Sequence, residues 1–501
     1  MCPQTEKESN KFINFIKENK ILLIAIVVTV ILTYGYEMSN FALTIDEEAN
    51  WNKSGMDYFV RRVSDGRFLL GFSKIFLPRI FLPFWSTAVF AVGMVVNGCL
   101  IAYIFKNHLK KTISKIAISC VFVSFPVHAF YVMFSVQSAE TALGYFMTIF
   151  AVYLADQNLQ KEKISVKNFV RAIILIILSN GIYQSFFMVY AILVCALISL
   201  ELLAEGRMAT QSSKVKEYWQ RIGGHIVCLA TSGIGYIAVT KLLQWLIAPS
   251  RNYIEGYLQW GTYGFLETIK VFIKAIWRIS WSTGNDHAYT TMWLFSALFI
   301  VLLIVGVWRC VRGYKLLFLI AMCGLFFSNY LMMFVAGTTV PERLYITLPI
   351  FAAVVLASFA EYVVRENTQM VLRIFVAVIV LIQSANVTDL FWAENRQKAK
   401  DEVMMTKMTS EIAEVAGKWV PDEPVFIFNG ISYDSYDSGF GFSYFTLGGR
   451  IHGYLSEQGF DYLQGNEAQA TYASERVKTM PVFPAEGSVV NENGVIIVNL
   501  Q

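Results

Sequence analysis

Charge is scarce in this chain: 16% of its residues are Asp, Glu, Lys or Arg, against roughly 25% in an average soluble domain. With 55% hydrophobic residues and a positive mean hydropathy, that shortage excludes an ordinary soluble domain and points to a polytopic membrane protein. The net charge of +4 is explained by loop lysines beside a membrane, and there is no basic block of the kind nucleic-acid binding requires. Six of the seven cysteines (Cys99, Cys120, Cys195, Cys228, Cys310, Cys323) lie in or beside apolar segments and none lies in the C-terminal tail. A disulfide framework in that tail and a CxxC metal motif are therefore excluded. The phosphate-cradling Walker A loop, the GxSxG nucleophile elbow, the HExxH zinc helix and a clear Asp-x-Asp metal motif are all missing, which leaves no basis for cytoplasmic nucleotide chemistry. The first apolar stretch follows Lys11, Lys17 and Lys20 and lacks a small-x-small cleavage site, so it is expected to be a retained span.

What the chain does have is long apolar runs. A membrane-crossing helix needs about 20 mostly apolar residues, and that window gives about eleven spans, near 21–36, 82–104, 114–135, 138–155, 168–179, 183–203, 223–247, 291–309, 315–335, 345–364 and 370–388. The run 168–203 is divided at Ser179-Asn180-Gly181 because Asn-Gly favours a turn. Residues 68–81 are too interrupted to cross and are expected to lie as an amphipathic segment in the interface. With the N-terminus inside, the inner segments carry 21 Lys and Arg and the outer loops 11, the bias of the positive-inside rule. The tail from 389 to 501 then lies outside. It begins with a polar helical stretch, 393–419, followed by strand-like runs at 425–428 and 495–500, enough for a small α/β domain. The expected organisation is a membrane module, residues 1–388, whose first outer loop, 37–81, carries the chemistry, and an extracytoplasmic domain, residues 389–501.

The first outer loop holds Thr44-Ile45-Asp46-Glu47-Glu48, then Trp51 and Gly66-Arg67. Three successive acids on a loop also read as plain solvated charge. Here they sit beside Phe41, Ile45 and Trp51, next to a span, with Arg61, Arg62 and Arg67 downstream; apolar walls and fixed cations shift carboxylate pKa values as proton transfer requires. Glu342 and Arg343 lie at the boundary of a late span, where an Arg can grip a phosphate bidentately or simply pair with its neighbour. Glu140, at the outer end of a span, is a further candidate, although a helix N-terminus stabilises an acid without any function. Trp260, Trp277 and Trp281 are read as interface-belt residues ahead of sugar-stacking rings, His287 in Asn285-Asp286-His287 is weak evidence of any role, and the aromatic, Gly-rich stretch 433–445 reads equally as a carbohydrate-binding surface or an irregular loop.

Ile45-Asp46-Glu47 with Trp51 and Gly66-Arg67, just after an N-terminal span, resembles the first outer loop of the bacterial membrane family called glucosyl transferase II, with a weaker echo at Pro341-Glu342-Arg343. Glu47 stands where many members carry Asp, which keeps the carboxylate. The resemblance implies a GT-C type fold, a sugar donor carried on a polyisoprenyl phosphate, and transfer of a hexose, by resemblance glucose, to a cell-surface glycan acceptor such as O-antigen, on the outer face of the bacterial cytoplasmic membrane. It brings with it a donor synthase and a flippase as partners. On this reading Asp46 is the general base with Glu47 as alternative, Arg67 and Arg343 bind the donor phosphate, and Glu48, Trp51, Glu140 and Glu342 are substrate-binding candidates. Phosphate is already a good leaving group, so no metal and no cofactor is expected. The competing class is a transporter or flippase of lipid-linked sugars, which requires charges deep in its spans and internal repeats. The chain has no evident repeat, and its polar candidates gather at one face. The topology is testable: a reporter enzyme active only outside the cytoplasm is expected to be active when fused after residue 501 and silent when fused after residue 162, and the opposite pattern would invert the orientation.

Overall fold

A computed structural model describes residues 3–40, 53–77, 80, 82–161, 163–205, 213–248, 259–260, 264–283, 288–310, 312–428 and 465–500. The chain divides into two compact units, Met1–Ser39 with Lys53–Thr388, and Asn40–Asn52 with Asp389–Gln501.

The first unit is all helix. Its elements are α1 (Pro3–Glu18), α2 (Lys20–Ser39), α3 (Gly55–Ser64), α4 (Phe68–Phe72), α5 (Pro83–Ile104), α6 (Thr112–Ser124), α7 (Ala129–Met133), α8 (Ser135–Leu159), α9 (Val166–Asn180), α10 (Phe186–Glu205), α11 (Ser213–Leu246), α12 (Phe265–Trp281), α13 (Met292–Arg309), α14 (Arg312–Phe327), α15 (Leu331–Ala336), α16 (Leu348–Tyr362) and the first part of α17 (Gln369–Ala416). Among the described residues nine helices are long and apolar enough to cross a membrane: Lys20–Ser39, Phe84–Ile104, Thr112–Met133, Ser135–Leu159, Phe186–Ala204, Val215–Leu246, Met292–Arg309, Gly313–Ala336 and Gln369–Ala416. This is a multi-pass helical membrane protein. The segments expected at 168–179 and 345–364 form α9 and α16, of 15 residues each. Fifteen residues rise only about 22 Å, short of a hydrocarbon core of about 30 Å. The division at Ser179-Asn180-Gly181 is real: α9 ends at Asn180, whose side chain donates to the Ile176 carbonyl (2.7 Å) and accepts from Phe187 N (3.1 Å). Among the described residues of 68–81, Phe68–Phe72 form a helix and the others do not.

Helices in an apolar solvent gain little from burying apolar faces, so small residues and side-chain hydrogen bonds join them. The Thr33 and Ser384 hydroxyls meet at 2.8 Å, Ser124 donates to Gln383 (2.7 Å), and Asn97 donates to the Ala142 carbonyl (2.8 Å). At one end of α8, α10 and α11 the glue is ionic. Arg221 holds Asp156 at 2.6 Å and also pairs with Glu201, His225 Nε2 lies 3.2 Å from Asp156, and Tyr190 Oη lies 2.8 Å from His225 Nδ1. The spans therefore carry more acid than their sequences suggest, but that acid is neutralised in place.

In the second unit α17 continues unbroken through the stretch read from sequence as a span and a separate polar helix. The runs at 425–428 and 495–500 give β1 (Val425–Phe428) and β3 (Val495–Asn499), joined by β2 (Val489–Glu492) in a sheet of order β1-β3-β2. β3 runs parallel to β1 and antiparallel to β2, and is buried along its whole length, as its unbroken apolar run requires of a central strand. The helix α18 (Glu467–Arg476) packs Ala473 against Val495 and Ile497, and Arg476 clamps Glu492 with two hydrogen bonds of 2.8 and 3.0 Å.

Removing one partner of a buried ion pair leaves the other charge unsatisfied at a cost of about 3–5 kcal/mol. Arg221→Met is therefore expected to lower the thermal unfolding midpoint of the purified protein strongly, measured by tryptophan fluorescence in detergent. An unchanged midpoint would mean that Asp156 is hydrated.

Candidate functional site

The acids Asp46, Glu47 and Glu48 and the aromatic Trp51 lie outside the described residues, as do Asn285-Asp286-His287 and the stretch 433–445. The site is therefore built from the cations and aromatics around the Gly66-Arg67 turn.

Ser54 starts α3 in the way that small polar residues do: its hydroxyl oxygen accepts from Asp57 N (3.1 Å) and donates to the Asp57 carboxylate (2.7 Å). The helix ends at Gly66, which has φ +76°, and a Cβ there would come 2.8 Å from the Tyr236 hydroxyl. Only glycine accepts that backbone conformation at no steric cost. Arg67 N then bonds the Arg62 carbonyl at 2.7 Å. The carbonyls that close the α3 turn lie beyond its helical bonding, and each finds a donor from a neighbouring element. Gln244 donates to Ser64 O (3.1 Å), Gln184 to Asp65 O (3.1 Å) and Tyr236 to Gly66 O (3.0 Å).

Two cations from distant parts of the chain are linked through a pair of tyrosines. The Arg67 guanidinium lies 4.6 Å over the Tyr183 ring, and Tyr183 meets Tyr131 edge to face at 6.2 Å. Tyr131 donates its hydroxyl to the Arg343 carbonyl, and the Arg343 guanidinium lies 5.3 Å over Phe134. A further anchor fixes the Arg343 turn, Tyr145 donating to Ile346 O (2.8 Å). Both arginines are half-buried. A planar guanidinium stacked on an aromatic ring keeps its in-plane donors available for an oxyanion. Glu342 sits half-buried in the same short turn, Glu342–Leu344, its carbonyl accepting from Tyr345 N (3.1 Å). Arg62 is a different case, buried over Tyr58 (4.7 Å) with Asp65 at 3.4 Å.

Glu140 is drawn into an ion pair. Lys74 Nζ lies 2.7 Å from its Oε1, Ser73 donates to the same oxygen at 2.8 Å, and both charged side chains are at most 9% exposed. The pair ties the loop after α4 to the first turns of α8. Among the described residues Oε2 of Glu140 has no hydrogen-bond partner. Sequence reading did not single out Lys74, Tyr131, Tyr183, Gln184 or Tyr236. The nearest available signal was the break at Asn180-Gly181 followed by Tyr183-Gln184, polar and aromatic residues where the apolar run stops. No group of three or more His, Cys, Asp or Glu among the described residues is arranged to hold a metal ion.

Lys74→Met is expected to cost about 3–5 kcal/mol by stranding Glu140, while adding Glu140→Leu should restore most of it. The check is the unfolding midpoint of both variants; equal losses in single and double variant would mean that the lysine acts through something other than the pair.

A family model described as Glucosyl transferase GtrII matches residues 35–388 of the chain. No curated protein and no solved structure matches it.

Proposed function

The chain belongs to the glucosyl transferase GtrII family, and from that premise we propose that it moves glucose from a polyisoprenyl-phosphate donor to a cell-surface glycan acceptor, on the outer face of the cytoplasmic membrane. Family membership makes it a glycosyltransferase; the observation that carries the choice of donor is the pair of half-buried arginines, Arg67 and Arg343, each facing an aromatic ring near a helix end and linked through Tyr183 and Tyr131. A lipid-linked sugar phosphate presents an apolar tail, an anionic phosphate and an anomeric carbon at such a boundary.

In this reading the acceptor hydroxyl oxygen attacks the anomeric carbon and the bond to the phosphate oxygen breaks. Asp46, with Glu47 as the alternative, takes the hydroxyl proton. Arg67 and Arg343 stabilise the negative charge that collects on the departing polyisoprenyl phosphate. Glu48, Trp51 and Glu342 flank the acceptor side, and Glu140 acts through its pair with Lys74. Metal and cofactor are not needed for this balance. A synthase must make the lipid-linked sugar and a flippase must turn it outward.

The scaffold is proposed to be a GT-C type module of eleven crossings, with the N-terminus cytoplasmic and residues 389–501 forming an extracytoplasmic α/β domain. Four contacts, two at each short helix, favour counting these helices as crossings. α9 starts beside Asn158, which bonds Ser165, and ends where Gly181 O receives Leu69 N (2.9 Å). α16 starts beside Ile346, bonded by Tyr145, and ends where the Tyr362 hydroxyl donates to His108 O (2.7 Å).

Transfer of labelled glucose from polyisoprenyl-phosphate glucose by the purified protein tests the reading. Asp46→Asn is expected to lose about 10²–10⁴-fold in turnover, and Arg67→Ala and Arg343→Ala are expected to lose about a hundredfold in kcat/KM. Full activity in both Asp46→Asn and Glu47→Gln would remove the base assignment. No transfer from any polyisoprenyl-phosphate sugar would refute the donor class, and a flipping assay in vesicles would then decide for the transporter.

A further inference from the structure

We infer that Gln184 and Tyr236 are positioning residues for Arg67, and that the turn between α9 and α10 is the seat on which the Gly66-Arg67 element is held; this rests on the phosphate-binding role proposed for Arg67.

The turn after Asn180 touches the element at four points. Gly181 O accepts from Leu69 N (2.9 Å) and Leu70 N (3.3 Å), so it takes two of the free N–H groups that open α4. Gly181 also lies against the Phe68 ring, which would be 2.6 Å from a Cβ at that position, so no larger residue lets the two segments approach as closely. Tyr183 supplies the ring beneath the Arg67 guanidinium at 4.6 Å. Gln184 donates to Asp65 O at 3.1 Å. From the other side Tyr236, on α11, donates to Gly66 O (3.0 Å) while its ring stacks with Phe68 (6.3 Å) and meets Phe187 edge on (6.0 Å). The carbonyls of Asp65 and Gly66 before Arg67 are thus held by Gln184 and Tyr236, and the N–H groups of Leu69 and Leu70 after it by Gly181 O. The direction in which the Arg67 side chain leaves the backbone follows from those bonds. A helix C-terminus in an interface can cap its carbonyls with water; here the three successive carbonyls 64–66 take protein donors from two different elements. That over-determines the turn, which is what holding a charge to fixed geometry needs.

A purely structural cap and a positioning residue separate in a double-mutant cycle. The full-length protein, wild type, Tyr236→Phe, Gln184→Met, Arg67→Ala, and Tyr236→Phe with Arg67→Ala are assayed for glucose transfer from polyisoprenyl-phosphate glucose, with the unfolding midpoint of each. Tyr236→Phe keeps the ring contacts and removes only the hydroxyl. Expected are a donor KM raised about tenfold with kcat within about twofold for Tyr236→Phe and Gln184→Met, and less than a twofold further effect of Tyr236→Phe once Arg67 is gone. Where Gln184→Met does not accumulate, the Tyr236→Phe arm decides. Equal effects of Tyr236→Phe with and without Arg67, or a wild-type KM in Tyr236→Phe, overturn the positioning role alone. A wild type that transfers nothing from this donor overturns the functional reading, and this inference with it.

Discussion

A backbone inside hydrocarbon has no water to bond, so each peptide group must be satisfied within the protein. That constraint makes this chain helical wherever it is apolar, and it also decides where the candidate site lies. Functional groups gather where a helix stops, because there the backbone polar groups have to be met by side chains. The end of α3 and the start of α4 are such a place. Their free carbonyls and N–H groups are taken up by Gln184, Tyr236, Gln244 and Gly181 O, and the residue in the middle is Arg67.

The same solvent dictates how charge is carried. Isolated charge in a low-dielectric interior is expensive, so buried ions come in partnered sets. Lys74 with Glu140 ties the loop after α4 to α8, and Arg221 with Asp156, Glu201 and His225 gathers the ends of three helices. Arg67 and Arg343, both half-buried, also face aromatic rings. A guanidinium is a planar fork that suits an oxyanion.

The contrast separates residues that hold the molecule together from those suited to chemistry. Glu140 resembled Asp46 and Glu47 as an acid near an interface. Its partner, Lys74, lies in the loop 53–77, and only the folded chain brings the two within 2.7 Å. A carboxylate paired in this way ties two segments together.

Residue order alone determined the membrane class, the position of most helices, the break at Ser179-Asn180-Gly181, the strands at 425–428 and 495–499, and, through the Gly66-Arg67 pair, one end of the candidate site. Those features are local: a long apolar run, an Asn-Gly turn signal and a glycine required by positive φ can each be read within a short window. The continuation of α17 past residue 388 was not legible, because an apolar span followed by a polar helix carries no signal that the backbone runs on without interruption. Nor were the link between Arg67 and Arg343 through Tyr183 and Tyr131, the Lys74–Glu140 pair or the seat formed by Gln184 and Tyr236. Each joins residues far apart in the chain, and only the packing of helices chooses such partners, because one sequence of apolar spans is compatible with many neighbour arrangements in lipid.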